Sequence, residues 1–189
     1  MLYGLLMEKI TEVNSLKFTK IVLKAIKKVK KKFPYLGKNI IQFKYKYIKE
    51  FSCDSSKKRL VIFFIPISVL NSLRKIQLYI LYELSKSVKD LYFAFCSIRS
   101  FIPRKFQKIR GIVSYNRSFK KINENVIRDI IFPSDITGKR VFFFHECVPK
   151  INIYIQDNRS FFSQERLNLM SGALKILLEK IIKFTVIRR

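Results

Sequence analysis

From Ser15 to Lys32 the apolar residues Leu16, Ile21, Val22, Ala25, Ile26 and Val29 recur at helical spacing, which predicts an amphipathic helix. Ser15 is placed to cap its start, and Phe33-Pro34 ends it, because the residue before a proline avoids the helical region. The period then drops to two. Phe43, Tyr45 and Tyr47 alternate with Lys44 and Lys46, the pattern of a half-buried strand. Ser52–Ser56 is turn-like, and Leu60–Ile65 is an unbroken apolar run of strand length. Together they predict a hairpin whose second strand is the more central one. After Pro66, the positions Val69, Leu73, Ile76, Ile80, Leu81, Leu84 and Val88 predict a long helix, and Leu91–Ile98 a further strand. Strand, helix and strand in this order predict a crossover with the helix packed on one sheet face.

Periodicity is lost over residues 99–121, where basic residues interleave with Phe101, Ile109, Tyr115 and Phe119 and no acid occurs. A segment of this length without elements of its own is usually functional. It reads as a basic arm, its cations set to neutralise phosphates and its aromatics to stack on bases. Beyond it, Asn123 or Asn125 is placed to cap a short helix containing Val126, Ile127, Ile130 and Ile131, ended by Phe132-Pro133. A strand follows from about Lys139 to His145, then a turn at Pro149, a strand Ile151–Gln156, and a helix from about Phe161 to Ile182. Phe184–Ile187 is a candidate last strand. No internal repeat stands out.

Charge changes the picture more than hydropathy does. The chain holds 39 Lys and Arg against 13 Asp and Glu, a formal net charge of +26 over 189 residues. Such an excess implies a polyanionic partner, nucleic acid or an anionic membrane surface. Lysine, phenylalanine, isoleucine, asparagine and tyrosine all have AT-rich codons, so base composition accounts for part of the lysine content. The charge is concentrated in residues 1–60 and 99–140, which places it on basic elements projecting from a compact body. With 49% hydrophobic residues the chain has enough apolar material for a substantial core.

Little in the sequence points to catalysis. It has a single histidine, no phosphate-binding glycine loop and no nucleophile elbow. Asp129 and Asp135 could contribute to a metal-dependent nuclease, but capping of a helix end and a turn explains them as well. Cys53, Cys96 and Cys147 form no disulfide framework, which fits a reducing compartment. His145 and Cys147 alone fall short of a zinc site. The expectation is a protein that is not an enzyme and has no cofactor, metal or small-molecule substrate. The longest uncharged run, Leu60–Leu73, is interrupted by Pro66 and is shorter than a membrane span.

Two blocks carry a resemblance. Val61-Ile62-Phe63-Phe64-Ile65-Pro66-Ile67, continuing through Leu70, Ser72, Arg74-Lys75-Ile76-Gln77 and Glu83-Leu84, looks like the strand–proline–helix core of the eukaryotic small-subunit ribosomal protein seven (S-seven-e) family. Ile131-Phe132-Pro133-Ser134-Asp135-Ile136-Thr137-Gly138-Lys139-Arg140-Val141 closely resembles that family's Phe-Pro-Ser-acid-Ile-x-Gly-Lys-Arg signature. Asp129 and Ser171-Gly172 fall at matching places, and the order of elements agrees from about Tyr45 to Ile187. In the signature, Pro133 stops a helix, Ser134 and Asp135 satisfy local donors, and Gly138 permits a positive φ. The family's basic loop is longer and denser in cations than residues 101–121 here, and the first 40 or so residues match poorly. Lys-, Ile- and Phe-rich shortened proteins of this kind are similar to those of compact-genome parasites such as microsporidia.

The expected fold is therefore α+β over residues 1–189 as one domain, with a central mixed or antiparallel sheet, helices packed on it, a basic N-terminal helical region (1–40) and a basic loop (99–121). The resemblance implies a structural constituent of the small ribosomal subunit that binds ribosomal RNA and adjacent ribosomal proteins. It also implies a cytoplasmic, ribosomal location, with assembly in the nucleus and nucleolus. The candidate RNA-binding residues are Arg99, Arg104, Lys105, Lys108, Arg110, Arg117, Lys120, Lys121, Lys139 and Arg140, with Lys27, Lys28, Lys31 and Lys32 as a second group. Three other readings stay open: a free-standing nucleic-acid-binding module, a peripheral membrane protein using the helix at 15–32, and an RNA-processing enzyme.

Overall fold

The computed structural model describes residues 12–34, 43–53, 56–99, 119–144, 147–156 and 161–187. Helices and strands over these residues are α1 (Glu12–Lys32), β1 (Tyr47–Cys53), β2 (Ser56–Ile65), α2 (Ile67–Ser87), β3 (Leu91–Ser97), α3 (Phe119–Ile131), β4 (Asp135–Phe144), β5 (Cys147–Gln156), α4 (Gln164–Leu178) and β6 (Ile181–Ile187). The class is α+β, as expected, but the strands divide between two three-stranded sheets. In the first, β2 lies between an antiparallel β1 and a parallel β3; in the second, β5 lies between an antiparallel β4 and a parallel β6. The order helix–strand–strand–helix–strand thus occurs twice, a repeat of topology that the residues themselves do not advertise.

The reason for two sheets lies in which faces are apolar. On β2 and β3 both faces are buried. Val61, Phe63, Ile65, Phe93 and Phe95 pack against α1 and α2, through Val22, Ile26, Leu73, Ile76 and Ile80 among others. Leu60, Ile62, Phe64, Ala94 and Cys96 face the other way, into a core with α3 and α4. That core also takes Ile151, Ile153 and Ile155 of β5 and Ile182 and Phe184 of β6. Helix α4 is therefore sandwiched between the sheets. The layers run α1/α2, first sheet, α3/α4, second sheet.

Several boundaries differ from the sequence reading, each for a local reason. β1 begins at Tyr47; Phe43 and Tyr45 precede it, yet their rings lie 5.8 and 5.9 Å from that of Phe63. Asn123 lies buried inside α3, which starts at Phe119, and so does not cap it. Ser15 likewise falls inside the first turns of α1. Pro149 is not the turn between β4 and β5. It sits within β5 at an irregularity of the ladder, opposite the Phe142/Phe144 register shift, where a residue without an N–H is tolerated.

Helix α4 is shorter than expected at both ends. Ser163 caps it, its Oγ accepting from the Arg166 backbone N–H at 3.3 Å. It ends where Glu179 adopts φ 54°, a left-handed turn made without the glycine that usually signals one. Ile181 and Ile182 then belong to β6, which is longer than Phe184–Ile187. The Ser171 hydroxyl donates to the Ile182 carbonyl and ties helix to strand.

Candidate nucleic-acid interface

Helix α1 buries Phe18, Val22, Ala25, Ile26 and Val29 against α2 and the first sheet. Its opposite face exposes Lys27, Lys28 and Lys31. Lys17, Lys20 and Lys24 are also exposed, and at spacings of three and four they continue the same row. Lys17 and Lys20 fall outside the lysine cluster at the helix end on which the sequence reading rests, although their spacing is legible in the sequence. Lys32 differs from its neighbours. Its Nζ donates to Oε1 of the nearly buried Glu83, bridging α1 to α2. That hydrogen bond, joined by the charges of Lys32, Lys86 and Lys28, holds the Glu83 carboxyl below its ordinary value against the opposing effect of desolvation.

Arg99 stands just past the end of β3, and its guanidinium is engaged inside the molecule. The Asp129 side chain is fully buried and accepts from Arg99 Nη2 at 2.9 Å, from Ser97 Oγ at 2.6 Å, from the Ser97 backbone N–H at 3.2 Å, and from Arg74 Nη2. Only 14% of the Arg99 side chain is exposed. Asp129 is thus not a cap: its carboxylate is taken up by donors from other elements. It fastens α2, the end of β3 and α3 together at the point where the chain leaves for residues 100–118. Charge neutralisation within this cluster is what makes the burial of an aspartate tolerable.

Arg104, Lys105, Lys108, Arg110 and Arg117 lie outside the described residues. Lys120 and Lys121 form part of the first turn of α3, which holds no acid. Cations there oppose the helix dipole.

The signature residues build the start of the second sheet. Asp135 is the first residue of β4, pairing with Gln156, so the strand begins four residues before Lys139 and the 135–138 stretch is not a free turn. Its irregularity falls between Ile136 and Gly138. Gly138 does not occupy the left-handed region. What it supplies is room, since a Cβ there would come within 3.3 Å of Tyr154 Cδ2.

Lys139 pairs with the buried Ile153 and turns toward α3, where it meets Glu124 at 3.3 Å. Arg140, one residue on, points to the opposite, outer face of the sheet and is exposed. The two cations of the Lys-Arg pair therefore have different surroundings.

Arg99 apart, the described candidates collect in two outermost layers, the solvent face of α1 on one side and the second sheet on the other, with Lys120 and Lys121 at the head of α3. Among the described residues no three of His, Cys, Asp and Glu come together as metal ligands would. No described helix is long and apolar enough to cross a membrane. The arrangement offers charge and shape to a polyanion.

The family model for ribosomal protein S7e matches residues 7–186. Small ribosomal subunit protein eS7B of Saccharomyces cerevisiae is 30% identical over 110 residues, 57% of each chain. The eS7 protein of Candida albicans is 33% identical over 99 residues, 51% of this chain and 53% of its own. Protein eS7A of Saccharomyces cerevisiae is 28% identical over 122 residues, 64% of each. The matched part therefore spans between about half and two thirds of these relatives. With the family model covering nearly its whole length, the chain belongs to the ribosomal protein S7e family.

Proposed function

We propose that this chain is a structural constituent of the small ribosomal subunit, binding ribosomal RNA and neighbouring small-subunit ribosomal proteins, and that it catalyses nothing. The observation that carries the reading is the family match over residues 7–186. The placement of exposed cations in both outer layers supports it, since a scaffold that draws RNA segments together needs charge on more than one side. Its site of action is the ribosome in the cytoplasm, with assembly in the nucleus and nucleolus.

The contacts we assign to RNA phosphates are Arg104, Lys105, Lys108, Arg110, Arg117, Lys120, Lys121 and Arg140, with Lys27, Lys28 and Lys31 on α1. Arg99, Lys139 and Lys32 have internal carboxylate partners. In this reading they orient the basic segments beside them.

Sedimentation tests the reading. The native protein should stay with small subunits through a high-salt wash; recovery wholly in the free fraction overturns the claim, and recovery only on precursor particles makes it an assembly factor. Replacing Arg104, Lys105 and Lys108 with Glu should impair incorporation while leaving the circular dichroism spectrum and melting temperature unchanged. Normal incorporation would remove those three from the interface.

A further inference from the structure

The two topological repeats differ in one respect that their sequences explain. On β2 the positions facing away from its crossover helix are Leu60, Ile62 and Phe64, all buried under α3 and α4. The corresponding positions on β5 are Lys150, Asn152, Tyr154 and Gln156, alternating with the buried Ile151, Ile153 and Ile155. β6 alternates in the same way, burying Ile182 and Phe184 and turning Ile181, Lys183, Thr185 and Ile187 outward. Strict alternation is what a sheet with one wet face requires. No described element packs on that outer face.

The ladder registers place its residues in rows across three strands. Phe142, Lys150 and Ile181 make one row; Arg140, Asn152 and Lys183 the next; Gly138, Tyr154 and Thr185 the third. Three cations therefore flank two aromatic rings, one of them the exposed Phe142. Among the described residues the only acid paired into the outer rows is Asp135, at the strand end opposite Gln156. Tyr154 leans over Gly138, where an added Cβ would stand 3.3 Å from its ring and press it by a few tenths of an ångström. Aromatic rings on an exposed sheet, bordered by cations, can stack bases while the cations meet the phosphates. An acid-poor, cationic surface of this kind is complementary to a polyanion rather than to another basic protein.

We propose that the outer face of the second sheet is a docking platform for single-stranded RNA. Tyr154 and Phe142 stack on unpaired bases, Arg140, Lys150 and Lys183 contact the backbone, and Gly138 positions the Tyr154 ring. The proposal rests on the RNA-binding reading above and assigns it a place and a strandedness.

The test uses the full chain and a labelled mixed-sequence RNA of about ten nucleotides, set beside a hairpin duplex of similar composition and inorganic polyphosphate. Fluorescence anisotropy should show Tyr154→Ala weakening the single strand roughly tenfold while Tyr154→Phe binds as wild type and duplex affinity is unchanged. Lys150→Gln with Lys183→Gln should flatten the salt dependence by about 0.7 logarithmic units per cation removed. Unchanged single-strand binding in Tyr154→Ala, or equal losses on single strand, duplex and polyphosphate, overturns the platform. A photoreactive residue at position 142 should crosslink to RNA in native subunits, and a crosslink to protein overturns it in favour of a protein neighbour. Either failure can occur while the wild type still sediments with small subunits, so it is distinguishable from failure of the ribosomal reading itself.

Discussion

Asp129 shows how much one residue can hold. Its carboxylate accepts from two arginines, a hydroxyl and a backbone N–H, which come from α2 and from the end of β3. Removing its charge leaves Arg99, largely buried, and Arg74, about a third exposed, without the carboxylate that they share. Asp129→Asn should therefore lower stability by about 3–5 kcal/mol, the usual cost of breaking a buried ion pair from one side. Urea denaturation measures it, and a loss under about 1 kcal/mol would mean that solvent already screens the cluster. Adding Arg74→Gln to that variant should cost less than the sum of the single changes, since the two residues share one interaction. Gly138 is the contrasting residue. Its role is steric, because the ring of Tyr154 lies close enough that a Cβ would make a tight 3.3 Å contact with it.

At the scale of elements, α1 is joined to the body by an apolar stripe and by the Lys32–Glu83 bridge. Because the folded state holds the Glu83 carboxyl below its ordinary value of 4.5, the bridge contributes above that pH and is lost as pH falls through the lower folded value. Thermal melts of wild type and Glu83→Gln should differ at pH 6 and converge as the pH is taken well below 4.5. A constant difference down to the most acidic condition would show that packing, and not the bridge, sets the effect of the substitution. Most elements were legible in the sequence at this scale. Leu60–Ile65 and Val69–Val88 were found because a two-sided buried strand and an amphipathic helix each leave a distinct period. The start of β4 and the end of α4 were missed. Asp135–Gly138 reads as a turn by residue type, yet pairs with β5, and Glu179 turns the chain without a glycine.

Across the whole molecule, the two repeats share one core. Leu167, Leu169, Met170, Ala173 and Leu174 of α4 lie in the same cluster as Leu60, Ile62 and Phe64 of the first sheet and Ile151, Ile153 and Ile155 of the second. Neither sheet can lose α4 without exposing apolar surface, so unfolding should be a single cooperative transition. Cys96 offers an internal probe, since burial, and then the charge of Asp129, push its thiol well above the ordinary range. In a Cys53→Ser/Cys147→Ser background its alkylation should coincide with the loss of far-ultraviolet ellipticity in urea. Alkylation in an earlier phase would show that the first sheet opens independently of the second.

The sequence alone determined the α+β class, the long helices, the apolar centre at Leu60–Ile65, the basic character and, through residues 131–141, the resemblance to a ribosomal family. These follow from periods set by neighbours two, three or four residues apart, and from composition. Tertiary structure decided what such short-range signals cannot carry: that the strands form two sheets, and that their order repeats. It also decided which cations have internal partners. Arg99 and Arg140 are alike as letters, but Asp129 is buried against one and the outer face of the second sheet receives the other. Ion pairing and coverage depend on which segments meet across the fold, 30 residues apart for Arg99 and Asp129, and that is set only when the layers close.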